Sequence, residues 1–381
     1  MKRILLPAPT RRDLLNLDDP RIAKRYELLE TEQPGVDGVF GSNDSTASLA
    51  ATVADRLGLP GPGYEAFMRC HDKLAARIVQ ARTVPEATPD FAPLDPHARS
   101  APLAYPFFVK PVMGHLSQHA RRVDNDGDLR EALGTARAGG FSRLIAEELL
   151  DGPLVTFEGF MHHGRMTTVG VTDAVMHENG ISFVRFEYPT RLDPATVRRM
   201  ETVARRLMPA LGFDGSLFNI EFFVDAGGRP WIVEVNGRIS SQFGPLVRAV
   251  HGVSSYELAL ELSTGRRPRV PRPRPGVVAA SFLIRTYQDA IVRSVPDPTQ
   301  VLRQFPGSTI ELLVRPGQRL SENDDDLVSH RLAVVSLAGH DREQLVADFH
   351  QARAVVPFEL EPLKAVARSR TPSSTRVRVQ P

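Results

Sequence analysis

Apolar and polar positions along the chain alternate between helical and strand periods, and the switches between them mark out its elements. Residues 4–6 and 36–40 are short apolar runs that predict buried strands, with a polar, helix-compatible segment between them. Ser42-Asn43-Asp44-Ser45 opens an Ala-rich helix to residue 57, closed by Gly58-Leu59-Pro60-Gly61. This strand, helix, strand, helix rhythm predicts a small α/β domain over residues 1–95. The Pro-, Ala- and Asp-rich stretch 85–102 predicts a connector. A strand at Phe107–Pro111, a loop around Gly114, a helix at Asp126–Ala138 and a strand at 143–148 then form a compact α/β unit. Strands around 154–160, 166–172 and 181–186 follow, with a helix over 194–211. Residues 244–264 predict two helices, the second opened by a Ser254-x-x-Glu257 capping box. The run Arg-Arg-Pro-Arg-Val-Pro-Arg-Pro-Arg-Pro over 266–275 excludes a regular helix or central strand and marks a boundary, its charge solvating a linker. Strands at 277–284, 309–314 and 334–338 predict a small antiparallel unit over 276–363, and the basic Ser/Thr-containing stretch 364–381 predicts a disordered tail. No internal repeat is found.

Residues 219–238, Asn-Ile-Glu-Phe-Phe-Val-Asp-Ala-Gly-Gly-Arg-Pro-Trp-Ile-Val-Glu-Val-Asn-Gly-Arg, predict a β-hairpin. With Gly227 and Gly228 as a two-residue loop, Ala226 faces Arg229 and Glu221 falls opposite Glu234. Alternation then places Asn219, Glu221, Glu234, Asn236 and Arg238 on one face and Ile220, Phe222, Val224, Trp231, Val233 and Val235 on the other. Directly opposed like charges destabilise a sheet unless compensated. A hard divalent cation such as Mg²⁺, which takes carboxylate and amide oxygens, would compensate them; the alternative is a polar face that only meets water. Lys73 begins a helix running to residue 81. Lys110 ends an apolar run, so burying its strand carries an ammonium into low dielectric unless an anion such as phosphate meets it. Taken singly, each lysine also fits a snorkelling surface side chain.

The length of 381 residues predicts two or three domains. A net charge of +2, from 47 basic and 45 acidic residues, gives no case for a nucleic-acid partner. The single cysteine, Cys70, excludes an internal disulfide and a Cys-based zinc cage and fits a reducing compartment. The N-terminal apolar run is too short for a signal peptide and no stretch approaches membrane-spanning length, so the expectation is a cytoplasmic protein without a membrane partner. No G-x-G-x-x-G follows the first strand, so a dinucleotide-binding domain is not supported.

The order of these pieces resembles the ATP-grasp superfamily of biotin carboxylase, D-alanine ligase and the L-amino acid ligases. The resemblance covers roughly residues 36–265 and, weakly, the C-terminal unit. It rests on Asp72-Lys73, Phe108-Val109-Lys110-Pro111, the segment from Ile145 to Gly152, Asn219-Ile220-Glu221-Phe222 and Glu234-Val235-Asn236-Gly237-Arg238. An acidic residue, a turn and then Glu-x-Asn-x-Arg is its most specific signal. The resemblance implies an α/β (α+β) ATP-grasp fold: an N-terminal α/β domain at 1–95, an ATP-grasp domain at 96–268 with a lid at 103–148, and the small C-terminal domain.

It further implies that Lys73 and Lys110 contact nucleotide phosphates and that Glu147, Glu148, Leu149 and Leu150 form a hinge strand reading adenine through its backbone. Glu221, Glu234 and Asn236 would hold one or two Mg²⁺ (or Mn²⁺) with ATP. Arg238, with Lys110, would serve the transfer by steadying the acyl phosphate or the carboxylate substrate. Glu158 matches a further acidic position near the nucleotide or is an exposed strand carboxylate. One departure is the lid loop, Met113-Gly114-His115-Leu116-Ser117-Gln118-His119, where a single glycine remains. There His115, Ser117 and His119 are ordinary polar loop residues or substitute donors to phosphate. Ser240, Ser241 and Gln242 are candidates for the substrate pocket. The function implied is ATP-dependent joining of a small carboxylate, activated as an acyl phosphate, to an amine, with an amino acid as substrate. The alternatives are biotin-carboxylase-like activation and an inactive nucleotide-binding scaffold; dimers are common in the superfamily, so a homodimer is open.

Overall fold

The computed structural model describes residues 2–6, 25–29, 35–114, 120–178, 182–322 and 329–363. The expected disordered tail at 364–381, and the loop residues His115, Ser117 and His119, lie outside these described residues. The first sheet is parallel, with β1 (Lys2–Leu5) between β2 (Tyr26–Leu29) and β3 (Gly38–Val39). Strand β2 stands within the segment expected to be helical; its short Tyr-Glu-Leu-Leu run is set by pairing with β1 rather than by periodicity. Helix α1 (Asp44–Leu57) starts at an Asn43 capping box and stops at Gly58, which takes the left-handed conformation. Helices α2 (Tyr64–His71) and α3 (Lys73–Thr83) follow, and the Asp72 side chain caps α3 at Ala75 N–H.

The connector was only partly so. Residues Phe91–Leu94 form β4, an edge strand in which Pro93 needs no N–H partner on its outer side. A four-stranded sheet runs β4, β7 (Leu144–Glu148), β5 (Phe107–Pro111), β6 (Arg121–Val123), backed by α4 (Asp126–Ala138). Phe107, Val109, Leu129, Leu133 and Ala146 form its own small core.

The central sheet has eight strands. β8 (Leu154–His162), β9 (Arg165–Met176) and β10 (Phe183–Tyr188) precede α5 (Pro194–Ala210), and β11 (Leu217–Val224) and β12 (Pro230–Asn236) complete its first half. After α6 (Gly244–His251) and α7 (Ser255–Ser263), β13 (Val278–Thr286) pairs antiparallel with β10. The sheet then continues through β16 (His330–Gly339) to β15 (Thr309–Leu312). The C-terminal strands are thus antiparallel as expected, but they extend the central sheet instead of closing a sheet of their own. β14 (Ala290–Ser294) and β17 (Glu359–Pro362) form a separate ribbon, and α8 (Pro298–Gln304) and α9 (Arg342–Ala354) had no counterpart in the sequence pattern. Phe157, Phe218, Phe222, Leu207 and Phe213 pack α5 onto the central sheet, and Phe282 stacks on Phe349 of α9 with centroids 4.3 Å apart.

Candidate active site

The hairpin β11–β12 opposes Asn219 with Asn236, Ile220 with Val235 and Glu221 with Glu234, as counting outward from the glycines predicted. Its turn differs. Asp225 N–H donates to Arg229 O at 3.1 Å, the Asp225 carboxylate accepts from Gly227 and Arg229 N–H at 2.9 Å each, and Gly228 is the left-handed residue. This longer turn shifts the outer register by one, pairing Phe222 with Ile232 and Phe223 with Trp231. A bulge at Val233 then restores it, so two deviations cancel before the glutamates are reached. In consequence Trp231 and Val233 leave the core face. Ile232 is fully buried in their place, and Trp231 lies half-buried under the Arg229 guanidinium, 3.7 Å from its ring centroid.

Asn219, Glu221, Glu234, Asn236 and Arg238 all line one cavity of about 270 Å³. Burial, and then the neighbouring Glu234 charge, push the Glu221 carboxyl up. Burial also pushes on Glu234, but Lys73 and Lys110 outweigh it and hold that carboxyl below its ordinary value. Lys73 Nζ sits 2.9 Å from Glu234 Oε1 and donates to Gly114 O at 2.8 Å. Lys110, in β5 and 8% exposed, pairs with Glu147 Oε2 at 2.6 Å and reaches Val233 O at 3.4 Å. The charges that meet both buried ammoniums in this structure are therefore carboxylates. Arg238 grips Asp44, in the first turn of α1, with two guanidinium nitrogens, the Nη2 to Oδ2 contact being 3.0 Å.

Glu147 is bound through its side chain: Arg77 Nε donates to Oε1 at 2.7 Å and Lys110 takes the other oxygen. Burial pushes this carboxyl up, yet Arg77 and Lys110 hold it down at about 2. Its strand β7 is flanked on both sides by β4 and β5, and the Glu148 N–H is committed to Asp90 O at 2.8 Å. Leu149 and Leu150 lie half-buried just past the strand end. Glu158 is not an exposed strand carboxylate: it is 2% exposed, accepts from Ser240 N–H at 3.2 Å, and its second oxygen has no partner among the described residues. Burial pushes it up to about 8.

Two residues of the site were not picked out from the sequence. Arg77 stands one helical turn beyond Lys73 on α3; it is 2% exposed and also donates to Val233 O at 2.9 Å and to Gln80. A Lys-x-x-x-Arg pair on an Ala-rich helix face was the clue available. Asp44 had none, because its partner lies 194 residues away.

Among the described residues no group of three or more His, Cys, Asp and Glu side chains gathers as a cation site. The donors here are two carboxylates and an amide, which suits a hard cation that shares its shell with phosphate. Asn236 fits this use, because its Nδ2 already donates to Asn219 Oδ1 at 3.1 Å and its carbonyl oxygen is the donor atom that remains.

Residues 103–245 match the ATP-grasp domain family. The chain's fold is that of the L-amino acid ligase from Bacillus licheniformis, with a TM-score of 0.74 at 17% identity over 96% of this chain and 99% of that one. The biotin carboxylase from Campylobacter jejuni superposes with a TM-score of 0.71 at 16% identity, covering 95% and 92%. Among curated proteins the chain is 27% identical to a formate-dependent phosphoribosylglycinamide formyltransferase of Methylococcus capsulatus, over 71% of this chain and 70% of that protein. It is 27% identical to a D-alanine–D-alanine ligase of Porphyromonas gingivalis, over 58% and 68%. No helix among the described residues is long and apolar enough to cross a membrane.

Proposed function

We propose that this ATP-grasp chain is an ATP-dependent ligase that joins a small carboxylate, an amino acid or a close analogue, to an amine. The observation that carries the proposal is the pair Glu221–Glu234, opposed on the floor of a cavity that Arg238 also lines and next to which Lys73 and Lys110 are anchored. In this reading a substrate carboxylate oxygen attacks the γ-phosphorus of ATP, and the bond to ADP breaks with its electron pair leaving on ADP. The amine nitrogen then forms the C–N bond, phosphate departs with the C–O pair, and the nitrogen's surplus proton passes to solvent base.

Lys73 and Lys110 orient the phosphates by exchanging carboxylate partners for phosphate oxygens. Arg238, fixed by Asp44, steadies the carboxylate and its acyl phosphate. Glu221, Glu234 and Asn236 would hold Mg²⁺, which when bound neutralises charge on the transferring group. Leu149 and Leu150 are the hinge positions proposed to meet adenine. The similarity to ligases and to a formyltransferase supports the reading.

The test is release of ADP and phosphate from ATP with Mg²⁺ across the twenty amino acids, with hydroxylamine present to trap acyl phosphate as a hydroxamate. At least one carboxylate is expected to stimulate release and yield hydroxamate, and Glu234→Gln is expected to lower that rate by about 100-fold or more without changing the melting temperature much. Intact nucleotide binding with no stimulation by any carboxylate would mark a scaffold instead.

A further inference from the structure

One titratable side chain in the cavity wall has no part in the chemistry derived so far. His71 ends α2, directly before the Asp72 cap of α3, and stands half-buried where it lines the same cavity as Glu221 and Glu234. Its ring stacks on Phe67 of its own helix, with centroids 6.0 Å apart and planes 22° from parallel. Phe67 is 2% exposed, so the imidazole leans on a fixed apolar surface. Neither ring nitrogen has a hydrogen-bond partner among the described residues. A histidine that serves packing alone ordinarily has its nitrogens satisfied, as His251 has by Tyr188 and the Pro271 carbonyl. His71 keeps both of its nitrogens open at the wall of a cavity.

The surroundings decide what such a ring can do. Burial holds it below its ordinary value of 6.5. Four charged groups also act on it: Asp44 of α1 and Glu234 of β12 favour the imidazolium, while Lys73 of α3 and Arg238 beyond β12 oppose it. Two of each sign leave burial in control. His71 is therefore mainly neutral at pH 7 and able to accept a proton. It does so near the lysine proposed to orient phosphate and the arginine proposed to orient the carboxylate. Attack by an amine creates the need for such a group, because the nitrogen gains one proton too many while the departing phosphate lacks one.

We infer that His71 is the catalytic base of the ligation step. The unprotonated amine's lone pair forms the C–N bond, and the C–O pair departs on phosphate. A ring nitrogen of His71 takes the surplus proton from the new amide nitrogen, and the imidazolium passes it to the departing phosphate oxygen. Neutral His71 is regenerated and the protons balance with no further reactant. The inference rests on the ligase reading above and gives to a residue of this chain the proton that would otherwise pass to solvent.

The experiment takes the carboxylate that gives most hydroxamate and compares two nucleophiles. Hydroxylamine attacks acyl phosphates without a base; the twenty amino acids and ethylamine are the test amines, their amide products followed by mass spectrometry. His71→Asn is expected to lower the ratio of amide to hydroxamate formation by about 100-fold or more. On the acid side of the pH profile, log kcat for amide formation is expected to fall with one unit more slope in the parent than in His71→Asn. Imidazole added to His71→Ala is expected to raise amide formation by about tenfold or more. Pyrazole, of the same shape but far less basic, is expected to leave it unchanged. A melting curve for each variant separates loss of the base from unfolding, and rescue by imidazole reads only the folded enzyme.

An unchanged ratio in His71→Asn, equal rescue by pyrazole, or hydroxamate without amide from any amine would overturn the inference while leaving carboxylate activation standing. Absence of hydroxamate with every carboxylate would remove both.

Discussion

Glu158 shows how a single side chain sets a pH dependence here. One oxygen accepts from Ser240 N–H, the other has no hydrogen-bond partner among the described residues, and burial pushes the carboxyl up to about 8 from an ordinary value of 4.5. A carboxyl raised on folding binds more protons in the native state than in the unfolded one. Its contribution to stability is therefore present below the ordinary value and is lost as pH rises through that value towards 8. Glu158→Gln removes the titration, so the variant is expected to melt close to the parent at pH 5 and to be more stable at pH 9, by on the order of 2 kcal/mol. Melting curves at the two pH values check this; a parent whose stability relative to the variant does not fall with pH would contradict it. Glu147, equally buried, behaves in the opposite sense because Arg77 and Lys110 both contact it. Burial was written in the surrounding apolar residues of both strands, but which glutamate had partners was not.

At the scale of elements, the hairpin is where sequence and structure agree for partly different reasons. Counting outward from Gly227-Gly228 gave the Glu221–Glu234 pairing, and the pairing holds because a longer turn and the Val233 bulge offset each other. The bulge also explains why Arg77 and Lys110 reach the Val233 carbonyl: a residue without a ladder partner offers its backbone sideways. Helix α1 aims Asp44 at Arg238, and Gly41 sets how closely its first turn approaches. A Cβ on Gly41 would stand 2.2 Å from the Thr46 carbonyl carbon and oxygen, backbone that cannot step aside. Gly41→Ala is expected to cost about 1–3 kcal/mol and to lower kcat through displacement of Asp44. Chemical denaturation read beside steady-state rates checks both, and a variant of full stability would refute the close approach. Helix ends were legible, since the Asn43 and Ser254 caps are local. Strand β2 and helices α8 and α9 were not, because their formation depends on neighbours far along the chain.

For the whole molecule, the continuity of the central sheet has a direct consequence. β13 covers the edge of β10, and Ala279 and Leu283 complete the cluster around Phe186 and Phe243. A chain ending at residue 265 would expose that edge and strip Ala279 and Leu283 from that cluster, so it is expected to aggregate or melt without cooperativity. A chain ending at residue 363 is expected to melt like the parent. Calorimetry of the two truncations decides this, and a cooperative transition in the shorter chain would show that the C-terminal strands are an independent domain.

The sequence by itself determined the strands and helices between residues 107 and 264, the opposed glutamates and the lysines, because periodicity, caps and side-chain alternation are set within about ten residues. Only the tertiary structure decided that Arg77 and Lys110 share Glu147 and that Asp44 holds Arg238. Those pairings connect residues 37 to 194 positions apart, and nothing local distinguishes them until the sheets close.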